Sequence, residues 1–267
     1  MALSNPAFSN TPAFSQRGGV KVAPQPTLSP DQLTEIYNRP AAGPTETDRM
    51  SYDDVIVKTV VMLVFLLAGG AVGAFFPALA LPAAIVGFVL ALVNIFKKKP
   101  SPVLIIAYSI VEGVFLGGIS VTLETLLPGI ILQAVAGTLI VFAVTLALFA
   151  NGKVRASGRA TKVFMIAGIA YAVFSLMNFV LQLTGVNQDP WGLYSAQIFG
   201  IPLGLIIGPL AILMAAYSLV LDFTSIKQGV EAGAPRSLGW KAAFGLVLTI
   251  VWLYIEFLRL IAIFRGN

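Results

Sequence analysis

The chain has 267 residues, of which 57% are hydrophobic and 11% are charged, and its mean hydropathy is +0.88. This balance lies far outside the range of soluble domains and predicts an integral membrane protein. Cysteine and histidine are both absent, which excludes disulfides, thiol and imidazole nucleophiles and metal sites built from those side chains. Acid–base chemistry near neutral pH must therefore come from carboxyl groups.

Residues 1–50 are rich in Pro, Ser, Thr, Ala and Asn, and the tetrapeptide PAFS occurs at 6–9 and again at 12–15. The segment has no apolar periodicity and lacks the basic and apolar regions of a cleavable signal peptide. We predict a disordered cytoplasmic tail over 1–50 and a transmembrane domain over 51–267. The first membrane helix is then expected to act as the insertion signal.

Seven apolar segments near the spanning length of about 20 residues follow the tail. Short connections that contain Pro, Gly or charged residues separate these segments, as in FFPALALP, KKKPSP and GVNQDPWG. The sequence therefore predicts an all-α membrane protein of seven transmembrane helices, at about 55–76, 79–96, 102–123, 129–149, 162–184, 199–222 and 242–264.

Basic residues are distributed unequally among the predicted connections. The connections after helices one, three and five contain no Lys or Arg, whereas those after helices two, four and six contain ten. The positive-inside rule places the three basic connections and the N-terminus on the cytoplasmic side of the membrane. The membrane is expected to be the cytoplasmic membrane of the cell. Topology explains the net charge of +5, so no nucleic-acid partner is expected. The ten residues are Lys97, Lys98, Lys99, Lys153, Arg155, Arg159, Lys162, Lys227, Arg236 and Lys241.

Small residues recur four apart in three predicted helices, which favours close packing of helix backbones where lipid supplies no hydrophobic drive. Two prolines, Pro202 and Pro209, lie within predicted helix six and are expected to kink it. The spaced glycines are Gly69 and Gly73, Gly113 and Gly117, and Gly200, Gly204 and Gly208.

Ionisable residues inside the spans are few, and each costs about 2.5–3.5 kcal/mol at mid-membrane unless it is paired. We expect Lys58 to extend towards the headgroups, Arg259 to pair with Glu256 three residues before it, and Glu124 to be solvated. Glu112 has no basic residue one turn away and needs a tertiary partner or a proton. Asp222 follows about twenty uncharged residues in LVLDFTSIKQG.

Two carboxyl groups brought together among membrane helices cannot both ionise cheaply. If Asp222 met Glu256, the pair would share one proton and titrate as a unit, which would be a pH switch without histidine. When ionised, the pair would attract a hard cation, since carboxylate oxygens are its preferred ligands. The expected depths of the two acids in the membrane do not match, because Glu256 lies deep whereas Asp222 is shallow unless helix six continues through FTSIK.

Two motifs carry a resemblance. LVLDFTSIKQGV and the final LYIEFLRLIAIF are similar to the paired signature of the Bax inhibitor-1 (transmembrane Bax inhibitor motif) family, especially its bacterial branch, and the likeness covers about 55–265. The resemblance implies a bundle in which the last helix is wrapped by the first six. It also implies a pH-sensitive calcium leak, with a helix-six acid facing a helix-seven acid and a basic residue after helix two locking the former.

Carried over by motif, the helix-six acid is Asp222, the helix-seven acid is Glu256 and the basic partner is Lys97. The chain departs from the family's bacterial pattern in having glutamate at 256 and lysine rather than arginine at 97, which cannot form the same bidentate contact. The expected site is therefore Asp222, Glu256, Lys97 and Glu112 for proton sensing and the ion path, with Asp222 and Glu256 as cation ligands. No cofactor other than the permeant ion is expected.

Three functions remain open on the sequence. The first is a cation leak, for calcium, gated by protonation of Asp222 and Glu256. The second is a non-catalytic regulator that binds another membrane complex, because similar bacterial proteins bind a membrane-anchored ATP-dependent protease. The third, an intramembrane aspartyl protease, is disfavoured, since the chain lacks a Gly-x-Gly-Asp motif and one acid is Glu256. A non-enzymatic protein is expected.

Overall fold

The computed structural model describes Ser29, residues 48–187, Asp189 and residues 191–266. The predicted disordered tail over 1–50 thus lies outside the described residues, apart from Ser29 and residues 48–50. All helices that the structure describes belong to one compact unit, Pro44–Asn267.

Among the described residues, seven helices are long and apolar enough to cross a membrane, and we label them α1 to α7 in chain order. The predicted fold class, an all-α membrane protein with seven spans, is confirmed. The helices are α1 Tyr52–Phe75, α2 Ala80–Phe96, α3 Pro102–Leu126, α4 Ile130–Ala150, α5 Gly158–Leu183, α6 Leu203–Glu231 and α7 Gly239–Gly266.

Short elements fill the connections. Single 3₁₀ turns at Pro77–Leu79, Gly192–Ser195 and Arg236–Leu238 precede or lie between helices. A two-stranded antiparallel hairpin, β1 Gln197–Ile198 and β2 Ile201–Pro202, leads into α6. The connections α2–α3, α4–α5 and α6–α7 all lie at one end of the bundle, which we call the basic end because the ten basic residues cluster there.

Capping side chains explain several helix starts. Ser51 accepts a hydrogen bond from the Asp54 amide (3.2 Å) and Ser157 accepts one from the Ala160 amide (3.3 Å), so α1 and α5 begin at residues 52 and 158, earlier than the apolar runs indicated. Glu124 accepts hydrogen bonds from the amides of Gly129 (2.6 Å) and Ile131 (3.0 Å) at the start of α4. Glu124 is thus partly exposed, as expected, and it also caps the start of α4.

Helix α6 differs most from its prediction. It was placed at 199–222, but residues 199–202 belong to the hairpin and the helix continues to Glu231. Past the apolar run, the hydroxyl groups of Thr224 and Ser225 donate to carbonyls four residues earlier (2.6 and 2.9 Å). The last turn is supported by the pair of Lys227 with Glu231 (3.7 Å). Asp222 consequently lies inside α6, two turns and more from its end.

Only one of the two prolines lies within α6. Pro209 is inside the helix, as expected, whereas Pro202 is its N-cap residue, where a missing amide donor costs nothing. Gly200 also falls outside the helix, with φ of +80° in the hairpin. The kink predicted at Pro202 is therefore wrong, and that at Pro209 stays a prediction.

Helices α1 and α3 pack backbone to backbone through their spaced glycines. A Cβ at Gly69 or Gly73 would overlap carbonyl groups of α3, and a Cβ at Gly113 or Gly117 would overlap carbonyl groups of α1. Approach this close is possible only with hydrogen in place of a side chain. The close packing predicted from the four-residue spacing is what the structure has at this interface.

The last helix has the largest buried share of the seven spans, 50% of its most apolar stretch. It packs against α1, α3, α4 and α6, and side-chain contacts join it to α2 and α5. These contacts are those expected of a central helix. The complete wrapping of α7 by the first six helices stays a prediction.

Substitution at the α1–α3 contact tests this packing. We expect Gly117→Ala to lower the free energy of unfolding by about 1–3 kcal/mol, because the new methyl group overlaps the Gly70 carbonyl and pushes two backbones apart. Gly70→Ala is the matched control, since its Cβ would lie 3.7 Å from the nearest atom, the Gly113 oxygen. Thermal unfolding in detergent measures both, and equal stability of the two variants would contradict the account.

Candidate functional site

Asp222 projects from the middle of α6 towards α7. Its Oδ2 accepts a hydrogen bond from the Thr249 hydroxyl at 2.7 Å, and the Ser218 hydroxyl lies 3.3 Å from that of Thr249. Gly245 makes room for the carboxylate, since a Cβ there would lie 3.3 Å from Asp222 Oδ1. A row of oxygen atoms therefore runs along the α6–α7 interface, with the carboxyl group of Asp222 at its basic end.

A cavity of about 260 Å³ adjoins Asp222 on the side of the basic end. Residues from α6, α7, their connection and the segment before α1 form its walls. Asp222 is the one acidic residue among them and Lys241 the one basic residue. The lining residues are Met50, Asp222, Ser225, Ile226, Gly229, Ala234, Leu238, Lys241, Ala242 and Gly245.

Lys241, rather than Lys97, supplies the side-chain cation at this cavity. Lys97 is exposed beyond the end of α2, and it is its carbonyl oxygen that takes part, accepting from Lys241 Nζ at 3.5 Å. Lys241 Nζ also donates to the Ile95 carbonyl at 3.4 Å. Sequence reasoning treated Lys241 only as a topology charge. The signal it missed is the four-residue spacing of Lys241, Gly245 and Thr249 along one face of α7.

Glu256 lies in a separate, fully occupied polar cluster. Only 1% of its surface is exposed, and its carboxylate pairs with Arg259 on the next turn of α7. The Tyr171 hydroxyl and the Trp252 indole N–H (3.0 Å) also donate to it. The local ion pair predicted from the three-residue spacing is thus present in the structure.

Aromatic residues of α5 and of the α5–α6 connection hold Arg259 in place. Its guanidinium donates to the Tyr171 hydroxyl at 2.6 Å and lies 4.0 Å from the centre of the Tyr194 ring. The Tyr194 hydroxyl in turn contacts Ser175 at 3.0 Å. A cation over an aromatic face is stabilised by the ring quadrupole. This polar cluster thus joins α7 to α5 and to the α5–α6 connection, at the end of the bundle opposite the basic end. Its members are Glu256, Arg259, Tyr171, Tyr194 and Trp252.

The turn that carries Tyr194 is itself fixed by polar side chains. Asn178 accepts a hydrogen bond from the Leu193 amide at 2.7 Å. Asp189 accepts from the Ser195 hydroxyl (2.5 Å) and from the Trp191 amide (2.8 Å). These hydrogen bonds, that of Ser195 foremost, hold the pKa of Asp189 below its usual value. Asp189 is therefore ionised at neutral pH and holds the turn in its position.

Asp222 and Glu256 do not meet. Thr249, which bonds to Asp222, precedes Glu256 by seven residues, or roughly 10 Å along α7. The intervening turns carry Ala215, Leu219 and Leu253, which are fully buried and pack in one apolar cluster. Within the described residues, no hydrogen bond joins the two carboxyl groups. The expectation that they share a proton and form one cation site is therefore corrected: Glu256 is already paired with Arg259.

Glu112 occupies a third position, at the contact of α3 with α2. Its Oε2 lies against Gly87, where a Cβ would approach it to 2.6 Å. In the part of the chain that the structure describes, no ion pair includes Glu112. The four predicted site residues therefore lie in separate surroundings, and Asp222 is the one on the wall of the cavity described above.

A cluster at the start of α1 was not predicted. Lys58 donates to Asp54 Oδ2 (2.5 Å) and to the Arg236 carbonyl (2.7 Å), and Arg236 Nε donates to Asp54 Oδ1 (2.9 Å). Only 8% of Lys58 is exposed, so the expectation that it reaches the headgroups is wrong. The four-residue spacing of Asp54 and Lys58 was a usable signal, whereas the contact with Arg236 is tertiary.

Comparison with known families settles the assignment of the chain. The model of the family described as Bax inhibitor 1 like matches residues 5–266. The chain belongs to the Bax inhibitor 1 like family. A search of curated proteins finds no match.

Membership agrees with the seven spans and with the motifs around Asp222 and Glu256. The Bax inhibitor 1 like match begins at residue 5, so it includes nearly all of the tail, which the sequence resemblance had left uncovered. Bax inhibitor-like proteins are generally non-enzymatic membrane proteins.

Removing the cation of the Glu256 cluster should be costly. We expect Arg259→Met to lower the free energy of unfolding by about 3–5 kcal/mol, because it leaves a buried carboxylate without its partner. Adding Glu256→Gln should recover part of the loss. Lys227→Met is the control, since the exposed Lys227–Glu231 pair is worth at most about 1 kcal/mol. Additive effects of the two cluster substitutions, measured by thermal unfolding, would contradict the pairing.

Proposed function

We propose that the protein is a pH-sensitive leak for hard divalent cations, namely calcium, and that Asp222 is its cation-binding acid. The observation that carries this proposal is the placement of the Asp222 carboxyl group on the wall of a cavity at the basic end of the bundle. A carboxylate that forms no ion pair within the described residues is free to bind an ion that enters.

The surroundings of Asp222 supply oxygen ligands of the kind that hard cations prefer. The Thr249 hydroxyl donates a hydrogen bond to the Asp222 carboxylate, and the Ser218 hydroxyl lies next to that of Thr249. Ser225, one turn after Asp222 on α6, also lines the cavity. Calcium takes six to eight oxygen ligands, several of which are commonly water molecules. The cavity volume of about 260 Å³ is large enough to hold several water molecules.

Protons and cations compete for the same carboxylate in this proposal. A proton on Asp222 removes the charge that attracts the cation, so flux is expected to fall as the pH falls. Lys241 adds a second control, because its ammonium group lies on the wall of the same cavity and opposes cation entry. Glu256 has no part in binding the ion, since Arg259 already neutralises it.

An apolar section closes the path beyond Asp222. Ala215, Leu219 and Leu253 fill the α6–α7 interface between Asp222 and the Glu256 cluster. Passage of an ion therefore requires α6 to move relative to α7 at this level. The proposed location is the cytoplasmic membrane, with the N-terminus and the basic end in the cytoplasm, because basic connections are retained there.

A non-catalytic regulator of a membrane-anchored protease or another membrane complex is the alternative function. The same charge variant separates the two functions. If Asp222→Asn abolishes flux while the protein captured from native membranes keeps its partner, both roles exist and are independent. If flux is absent from the wild type as well, the leak is excluded and regulation remains.

Flux through reconstituted vesicles tests the leak. We expect calcium flux to be greater at pH 8 than at pH 6, and Asp222→Asn to reduce it at least about tenfold, which corresponds to about 1.4 kcal/mol in cation binding. Glu231→Gln is the matched control, because Glu231 is an exposed acid near the end of the same helix. Flux that is unchanged in Asp222→Asn, or equally reduced in Glu231→Gln, would overturn the proposal.

A further inference from the structure

The hairpin between α5 and α6 turns through two residues that both have left-handed backbone conformations. The turn is Phe199-Gly200, with φ angles of +54° and +80°, and the Leu203 amide donates to the Ala196 carbonyl at 2.8 Å at the open end of the hairpin. Two positive φ angles define the type I′ turn, which favours Asn-Gly, Asp-Gly or Gly-Gly. The chain thus has the favoured glycine in the second position but a phenylalanine in the first.

Phe199 is unfavourably placed in two respects. Its left-handed conformation brings the Cβ of an L-residue close to the following carbonyl oxygen, a strain that glycine avoids and asparagine tolerates better. Its side chain is also fully exposed (101%), so no contact with a described residue compensates for this strain. Strained non-glycine residues cluster at functional sites. A contact with something outside the chain therefore explains Phe199 better than any contact within it.

The surface around Phe199 is apolar and uncharged. Ile198 and Ile201 pair across the hairpin and are both exposed, and Gln197 is the single polar side chain of the two strands. Residues 190–221 include no charged side chain. We call Ile198, Phe199 and Ile201 the apolar tip. It offers no charge to a charged partner, whereas its entry into hydrocarbon removes a large apolar surface from water.

The apolar tip lies close to the place where a membrane span begins. Helix α6 starts at Leu203, four residues after Phe199, and a chain of that length reaches at most about 14 Å. Two further aromatic residues, Phe75 and Phe76 at the α1–α2 connection, are exposed at the same end of the bundle. Phenylalanine is common among side chains that anchor peptide segments in the boundary between headgroups and acyl chains. Lipid is therefore within reach of the tip.

The base of the hairpin is fixed to the bundle. Pro202 is buried, and Gly204 lets α6 approach Tyr194, since a Cβ at Gly204 would lie 3.3 Å from the Tyr194 carbonyl oxygen. Ser195, just before the hairpin, donates to the Asp189 carboxylate at 2.5 Å. A tip held in position by a fixed base loses little conformational freedom when it binds.

We propose that the apolar tip is a lipid anchor, which inserts into the membrane leaflet at the end opposite the basic end with the Phe199 ring deepest. Burial of the ring among acyl chains offsets the strain of its left-handed backbone. The anchor fixes the start of α6, the helix that carries Asp222, relative to the membrane surface. It does not depend on the proposed leak, because neither the tip nor its test involves an ion.

The absence of cysteine allows one nitroxide label to report the depth of the tip. The label is attached to Ile201→Cys in lipid nanodiscs, and its collisions with oxygen, which concentrates in lipid, and with a water-soluble nickel chelate are compared by EPR. We expect its oxygen-to-nickel ratio to be nearer to that of Leu213→Cys, exposed within the apolar run of α6, than to that of Lys153→Cys, on an exposed basic connection. A ratio equal to that of Lys153→Cys places the tip in water and overturns the proposal.

Phe199→Asn separates anchoring from folding. Asparagine suits the first position of a type I′ turn, so the unfolding temperature in detergent should not fall below that of the wild type. The oxygen-to-nickel ratio at Ile201→Cys should nevertheless fall at least about threefold, because the tip loses the ring that holds it in lipid. Phe199→Trp keeps an aromatic ring and should leave the ratio unchanged. Val186→Asn, at an exposed apolar residue of the same connection, is the matched control and should also leave it unchanged.

Three other results would overturn the lipid anchor. The first is a ratio that Phe199→Asn does not lower, or that Val186→Asn lowers equally. The second is a lower unfolding temperature in Phe199→Asn, which would show that the ring stabilises the folded chain itself. The third is dipolar broadening between the labels of two copies, which would show that a second copy covers the tip. Ion flux enters none of these readouts, so the anchor can fail while the leak stands, and the leak can fail while the anchor stands.

Discussion

An ionised group held among membrane helices must find a partner of opposite charge or remain in contact with water, and this constraint organises the structure. Glu256 is paired with Arg259, and Asp54 is paired with Lys58 and Arg236. Asp222 has a hydroxyl donor and a cavity instead. The three acids therefore differ in kind. Two of them hold helices together, and the third is available to an ion that enters from the basic end.

The remaining architecture positions that one available acid. Backbone contact between α1 and α3 through Gly113, Gly117 and their partners gives the bundle a rigid wall without a hydrophobic drive for association. Helix α7 carries Lys241, Gly245 and Thr249 on one face towards Asp222, and carries Glu256 two turns further on. The apolar section between these levels separates a cavity from a fixed ion-pair cluster. The cavity beside Asp222 and the apolar section thus lie at successive levels of α6 and α7.

Features that depend on spacing within one helix could be predicted from the sequence. The seven spans followed from apolar length, and the Glu256–Arg259 pair followed from a separation of three residues. Glycines four apart predicted close packing of helix backbones, although not that α1 would pack on α3. The end of α6 could not be found in this way, because the apolar run stops at Asp222 whereas the helix continues to Glu231. Helix limits and membrane limits are set by different interactions.

Features that depend on the register between helices could not be predicted from the sequence. Whether Asp222 meets Glu256 or Thr249 is decided by how far antiparallel α6 and α7 slide past each other, and the length of their connection sets that distance. The register of the helices likewise decides that the side chain of Lys241, and not that of Lys97, lines the cavity beside Asp222. The segment Asp48–Met50 before α1 is too short to show any periodicity, so only its hydrogen bonds with Ala234 and Arg236 reveal where it lies.

Location of a bound cation tests most directly the claim that Asp222 alone, and not a shared pair of acids, binds the ion. Manganese, a hard divalent cation with a measurable anomalous signal, can be introduced into crystals of the wild-type protein at pH 8. The account predicts an anomalous peak at the Asp222 carboxylate and the Thr249 hydroxyl, with the Glu256–Arg259 pair intact. A peak that bridges Asp222 and Glu256, a peak at Glu256 with Arg259 displaced, or no peak at Asp222 would contradict it.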